Sequence, residues 1–237
     1  MNPTAHDHAS LDAEGMDTAT AYRLLCGVVA PRPVAWITTV DAHGVVNAAP
    51  FSSYNYVAHS PPMVAVNIGR RGAGLKDTAR NIESSGEFVV NVATLATLEP
   101  MHQSSAEYPP ERSETEALGL ELLPGRWTAV PRIAISPVHL ECRLHAQLSL
   151  GPLNTLYIGR VLGFHLDRGV YDGRQVDTVK LQPVARLGGP YYAALGQTFE
   201  RPVLQAPPGV AAPAAAAGPA PASPPARAAA HQEEPPR

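Results

Sequence analysis

Apolar and polar positions alternate most cleanly between residues 138 and 150. There Val138, Leu140, Cys142, Leu144, Ala146, Leu148 and Leu150 interleave with His139, Glu141, Arg143, His145, Gln147 and Ser149. A period of two predicts a long strand with one dry and one wet face. After a GPLN turn, Leu156, Ile158, Leu162, Phe164 and Leu166 mark a partner strand, with Arg160 as the one charge in that row. Earlier, residues 34–40, a DAHG turn at 41–44 and residues 45–48 read as a hairpin. Strand patterns at 63–68 and 87–92 continue the sheet. Between them, Leu75, Ala79 and Ile82 fall at helical spacing and predict a crossing helix over 75–84. A short helix is expected over 18–26 with Asp17 as its cap. Residues 95–130, punctuated by Pro100, Pro109, Pro110 and Pro124, read as short helices and loops. Many antiparallel strands, few helices and no βαβ rhythm predict a mainly β chain whose sheet closes fully or partly into a barrel.

Composition narrows the organisation. Residues 202–237 carry ten prolines and long alanine stretches with almost no large apolar side chain, so a disordered tail is expected there. Residues 1–16 read as a loose lead-in, which leaves one folded domain over 17–201. A net charge of −3 provides no basic field, so nucleic acid and anionic membrane are excluded as partner classes, while a small anionic ligand needs only a local basic cluster. The apolar runs are strand-sized, too short for a span of about 20 residues. The first residues lack the order of a secretory signal. A cytoplasmic location is the expectation. Cys26 and Cys142 are the only cysteines, too few for a disulfide framework, and are read as two reduced, mostly buried thiols.

Three segments carry candidate chemistry. GRRGAGLKDT, residues 69–78, ends a strand and opens a helix. Free amides and the positive dipole end at a helix start bind phosphate, glycines permit close approach, Lys76 and Arg70 add charge, and Thr78 adds a hydroxyl. A solvated basic turn with Asp77 as helix cap is the competing reading. FSSYN, residues 51–55, sits between two strands and offers the hydroxyls of Ser52 and Ser53, the Tyr54 ring and the Asn55 amide, which suit a heterocycle edge bearing both donors and acceptors. Read by itself such a segment is more often an ordinary turn. Arg32, between two prolines, has its guanidinium direction limited by the backbone, which favours an anion or carbonyl contact.

His165, near the end of its strand, is either a proton-handling group or a hydrogen-bonded histidine at the barrel rim. Trp36 is assigned to the core. His139, Cys142 and His145 do not form a metal site, because alternation turns Cys142 away from both histidines, and no metal is expected. No GxSxG, no P-loop spacing and no GxGxxG after a strand occurs, so a nicotinamide donor has no doubly wound domain to bind.

At PRPVAW, FSSYN, GRRGAGLKDT and RLGGPYY, and across about residues 24–192, the chain resembles the flavin reductase-like family, including the flavoredoxin-like proteins. The resemblance implies an antiparallel Greek-key split β-barrel that binds FMN, pairs as a homodimer and takes hydride from NADH or NADPH for a partner monooxygenase. Ser52, Asn55, Lys76, Asp77 and Thr78 match its flavin-binding pieces, while Ser53 stands where an aromatic residue is common. Arg32, Tyr54, Arg70 and Tyr191 join the implied cofactor set, and His165 is the implied catalytic group. Two alternatives stay open: an FMN-binding electron-transfer protein using no nicotinamide, and a split-barrel FMN oxidase acting on a specific small molecule.

Overall fold

The computed structural model describes residues 8–72 and 74–202. Asp17 opens α1 (Thr18–Val28): its side chain accepts the Thr20 amide at 2.9 Å, as its position before an apolar-periodic run predicts. No residue of this helix is buried. Its far end is tied down by Arg32, which donates to the carbonyls of Cys26 at 2.7 Å and Val29 at 2.6 Å.

Seven strands form one antiparallel sheet: β1 (Ala35–Val40), β2 (Val46–Phe51), β3 (Tyr54–His59), β4 (Pro62–Gly69), β5 (Glu87–Val92), β6 (Val138–Leu150) and β7 (Asn154–Leu166). Their order is β2-β1-β5-β6-β7-β4-β3, so β2 and β3 occupy opposite edges although only Ser52 and Ser53 separate them in the chain. The three Cα steps from Phe51 to Tyr54 span at most about 10 Å. The edges must therefore meet at that corner, and the sheet curls into a partly closed barrel. Helix α2 (Asp77–Ser85) lies against β1 and β2, burying Ala79 and Ile82, and stops at Gly86, whose φ of 72° is a left-handed helix end.

The barrel interior is filled by side chains including Ile37, Val66, Phe88, Val90, Tyr157 and Val161. Each such burial is worth about 1.5–3 kcal/mol. A second cluster holds Trp36, Met101, Ile133 and Val184, and the Trp36 indole donates to Ser104 Oγ at 2.9 Å. Short helices α3 (Leu98–Gln103), α4 (Glu114–Ala117) and α5 (Thr178–Leu181) sit in the connections. Arg32–Pro33, Ala185–Arg186 and Tyr192–Ala193 form a separate small sheet.

Two expectations about faces are corrected. On β6 the supposed wet side includes His139 and Glu141, which are 4% and 0% exposed, because the segment 123–133 folds over that side. At the other end of the strand the dry row runs out of the barrel, and Leu148 and Leu150 are exposed. On β7 the buried row is Tyr157, Gly159 and Val161, while Phe164 of the expected row is exposed. Register shifts at Ile158/Gly159 and Val161/Gly163 turn the strand. Gly159 sits there because a Cβ would lie 2.3 Å from the Phe88 ring.

The described residues up to Thr198 group by their contacts into one compact unit. The expected tail from residue 203 onward and residues 1–7 of the expected lead-in lie outside the described residues. Cys142 is buried and Cys26 half-buried, both as free thiols. No helix among the described residues is long and apolar enough to cross a membrane.

Candidate functional site

The glycine-rich segment makes a tight turn in which Arg71 and Gly74 exchange backbone hydrogen bonds at 3.0 Å, with Gly72 at φ 57°. This turn delivers the chain to the start of α2. Lys76 is the N-cap residue and no side chain caps the helix; the first carbonyl bond is Arg80 N–H to Lys76 O at 3.0 Å. The amides at the head of the helix are therefore open to a ligand. Lys76 is half-buried, lies 5.8 Å from the Phe51 ring centroid and makes no ion pair among the described residues. Burial, with nearby Arg71 adding to it, holds its pKa below the ordinary lysine value, while Glu107 opposes the shift. An anion here would relieve that cost.

Lys76, Asp77 and Thr78 line a cavity of about 150 Å³ together with Asn47, Phe51 and Tyr108. A second cavity of about 250 Å³ shares Pro50, Phe51 and Ser105 with the first, so the two form one groove along β2. Its further walls are Tyr22, Ser52, His102, Arg186 and Tyr192. There the Arg186 guanidinium lies 4.5 Å from the Tyr192 ring centroid, and His102 Nδ1 is 3.4 Å from the Tyr192 hydroxyl. Two carboxylates also face the first cavity. Asp77 pairs with Arg80, and Glu114 accepts the Ala48 amide at 2.9 Å on the sheet-edge strand β2. Burial raises the Glu114 pKa.

Of the residues singled out from sequence, the structure brings Ser52, Lys76, Asp77 and Thr78 to this groove. Thr78 arrives with its hydroxyl engaged, since Oγ1 accepts from Asn47 Nδ2 at 2.9 Å. The others lie elsewhere. Arg32 is nearly buried and donates to three carbonyls, the third being Leu187 at 3.0 Å, and approaches Ser52 Oγ at 3.5 Å, so it fulfils the carbonyl alternative. Tyr54 packs on the barrel core, where burial raises its phenol pKa. Ser53 and Asn55 are exposed, and the Asn55 side-chain oxygen Oδ1 accepts the Tyr56 amide. Arg70 points to solvent while Arg71 reaches the groove, and Tyr191 is exposed while Tyr192 forms the wall. His165 pairs with Glu141 at 2.6 Å and lines a different depression that shares no residue with the groove.

Tyr192 meets the expectation that the tyrosines of RLGGPYY could wall the site, whereas Asn47, Phe51, Arg71, His102 and Glu114 are groove residues that the sequence pattern does not single out. Phe51 and Arg71 lie within FSSYN and GRRGAGLKDT, beside Ser52 and Arg70. His102 and Glu114 come from irregular chain with no periodic signal to point at them.

The flavin reductase like domain matches residues 29–180. The chain belongs to the flavin reductase-like family. The curled seven-stranded sheet is this family's split barrel. An uncharacterized protein of Halalkalibacterium halodurans is 40% identical over 202 residues, covering 82% of this chain and 97% of that one. Nitrilotriacetate monooxygenase component B from Bacillus cereus superposes with a TM-score of 0.81 at 34% identity, over 83% of this chain and 100% of its own. The 2-nitrobenzoate 2-nitroreductase of Pseudomonas fluorescens follows at 0.74 and 30%, over 86% and 99%.

Proposed function

We propose that the groove binds FMN and that this protein is a flavin reductase, using NADH or NADPH to supply reduced flavin to a partner monooxygenase, and working as a homodimer. The observation that carries the reading is the uncapped start of α2 with the half-buried Lys76 beside it, which makes no ion pair among the described residues. A phosphate monoester fits this donor set: open amides, one ammonium and the Arg71 guanidinium, which already reaches Glu107 at 3.4 Å. Phe51 offers an apolar wall between the two cavities, and the Ser52 hydroxyl offers a donor and an acceptor toward a heterocycle edge. When bound, FMN supplies the two-electron chemistry, accepting hydride from the nicotinamide. The chain binds, aligns and shields, and needs no nucleophile of its own. Arg186 and His102 in the second cavity give the dinucleotide's anionic portion cationic and hydrogen-bonding contacts.

The similarity to the component B protein, 34% identical over its full length, supports a two-component role. The similarity to the nitroreductase supports a second reading, in which FMN is retained and electrons pass directly to a small organic acceptor. Stopped-flow reduction of the FMN-loaded protein by NADH and by NADPH tests the first step. Titration with apo-oxygenase or with nitroarenes then separates the two readings. No reduction by either nucleotide would reject both and leave the electron-carrier role.

A further inference from the structure

The phosphate end of the groove carries negative charge of its own. Asp77 and Glu114 line the same cavity as Lys76 and Arg71. Asp77 is answered by Arg80, one turn along α2. Glu114 makes no ion pair among the described residues, although it is only 7% exposed. The charged and titratable groups lining the two cavities it borders are Lys76, Asp77 and Arg80 on or beside α2, Arg71 on the glycine-rich turn, Tyr108 and Arg112 before α4, and Asp41 after β1.

Glu114 is held where it stands by a clamp on the sheet edge. Ser113 Oγ donates to the Val46 carbonyl at 2.6 Å, and Glu114 Oε2 accepts the Ala48 amide at 2.9 Å, so two consecutive residues at the start of α4 grip alternate residues of β2. The carboxylate stays at the cavity wall unless it gives up that edge amide. Burial raises its pKa, against the Ala48 amide, which favours the charged form.

A phosphate monoester carries about −1.5 to −2 charges at neutral pH. In a cavity of about 150 Å³, a phosphate held at the Lys76 wall lies within Coulombic reach of Glu114, and partial burial screens the two little. Like charge raises the affinity of a carboxylate for a proton. A single proton removes the repulsion, whichever of the two groups carries it. Resting on the reading of this groove as the FMN site, we infer that Glu114 makes flavin binding proton-linked, one proton being taken from solvent as the phosphate enters. The complex then holds one proton more than its separated parts, and FMN affinity falls as pH rises.

Calorimetric titration of the full chain with FMN, in buffers of differing ionisation enthalpy, counts the proton. Fluorescence titrations from about pH 6 to about pH 8 follow the affinity, which should fall by up to about tenfold per pH unit, with uptake approaching one proton. Riboflavin, which lacks the phosphate, should bind with no uptake and no such slope. Glu114→Gln keeps an acceptor for the Ala48 amide and the shape of the protonated acid, but nothing that titrates. It should bind FMN with little pH dependence and, at the alkaline end, about tenfold more tightly than the parent chain. A merely structural Glu114 would instead give a weaker binder with the parent's slope. That result, uptake that persists in Glu114→Gln and so belongs to Lys76 or the phosphate alone, or equal uptake with riboflavin would each overturn the inference. The riboflavin comparison needs no variant, so it decides even if Glu114→Gln fails to fold. FMN binding without proton uptake removes the role of Glu114 alone, whereas absence of FMN binding removes the flavin reading and this inference with it.

Discussion

Asn47 on β2 donates its side-chain amide to the Thr78 hydroxyl at 2.9 Å, and this buried bond fastens the first turn of α2 to the sheet edge. Thr78 thereby acts on the groove through the position of the helix start. Asn47→Ala is expected to cost about 1–3 kcal/mol of stability, because it leaves a buried hydroxyl unsatisfied. FMN affinity should fall with it, while Thr78→Ser should keep both. Thermal unfolding and fluorescence titration of the three proteins check this, and unchanged FMN affinity in Asn47→Ala would break the link between clamp and groove.

Lys76 is the charge expected to hold the phosphate. FMN should bind at least tenfold more tightly than riboflavin, since a charge-assisted contact is worth about 1.5–3 kcal/mol. Lys76→Ala should remove most of that preference and flatten the salt dependence of FMN binding. Asn55→Ala, at an exposed position outside the groove, should leave the titration as it was.

Acid should loosen the cover over β6 in two stages. The pKa of His139 falls from 6.5 to about 4 on folding, so the unfolded chain binds the proton more readily and stability declines as pH drops through that window, by about 3 kcal/mol in all. Glu141 behaves differently. Burial would raise its pKa, but the amides of Arg126 and Trp127, His165 and Thr128 outweigh it and bring it from 4.5 to about 2. Its contribution is complete above pH 4.5 and is lost as pH falls toward 2. Urea melts from pH 7 to pH 3 should show the first stage disappear in His139→Phe; persistence of the full slope would refute the histidine assignment.

Gly163 lies under Trp127, where an added Cβ would come within 2.3 Å of the indole ring. Gly163→Ala should therefore expel the ring, destabilise the protein by about 1–3 kcal/mol and red-shift its tryptophan emission. Trp36, buried in the second cluster, reports as an internal constant.

The barrel was legible where local pattern and burial agree. Asp17 before an apolar helix and the DAHG turn between alternating strands each have one physical outcome, and the structure has it. The long hairpin was legible in extent and not in facing. Alternation tells which residues share a face, but His139 and Glu141 are dry because a loop from 123–133 covers them, and that covering is a tertiary fact. The groove was legible at Lys76, since a basic residue at a helix start has its own local logic. RLGGPYY was legible as a tyrosine wall, but which of Tyr191 and Tyr192, and which of Arg70 and Arg71, faces inward is not encoded by period in short irregular segments.

Ser52 and Ser53 are the only residues between the first edge of the sheet and the last. A linkage this short acts as a latch: neither edge can fray outward without pulling on the other, and the groove beside Phe51 keeps its width as long as both hold. In hydrogen exchange, the Ala48 amide on one rim, bound by Glu114, and the Asn67 amide, bound by the Ser53 carbonyl at 2.8 Å, should open as a single unit despite standing five strands apart in the order of the sheet.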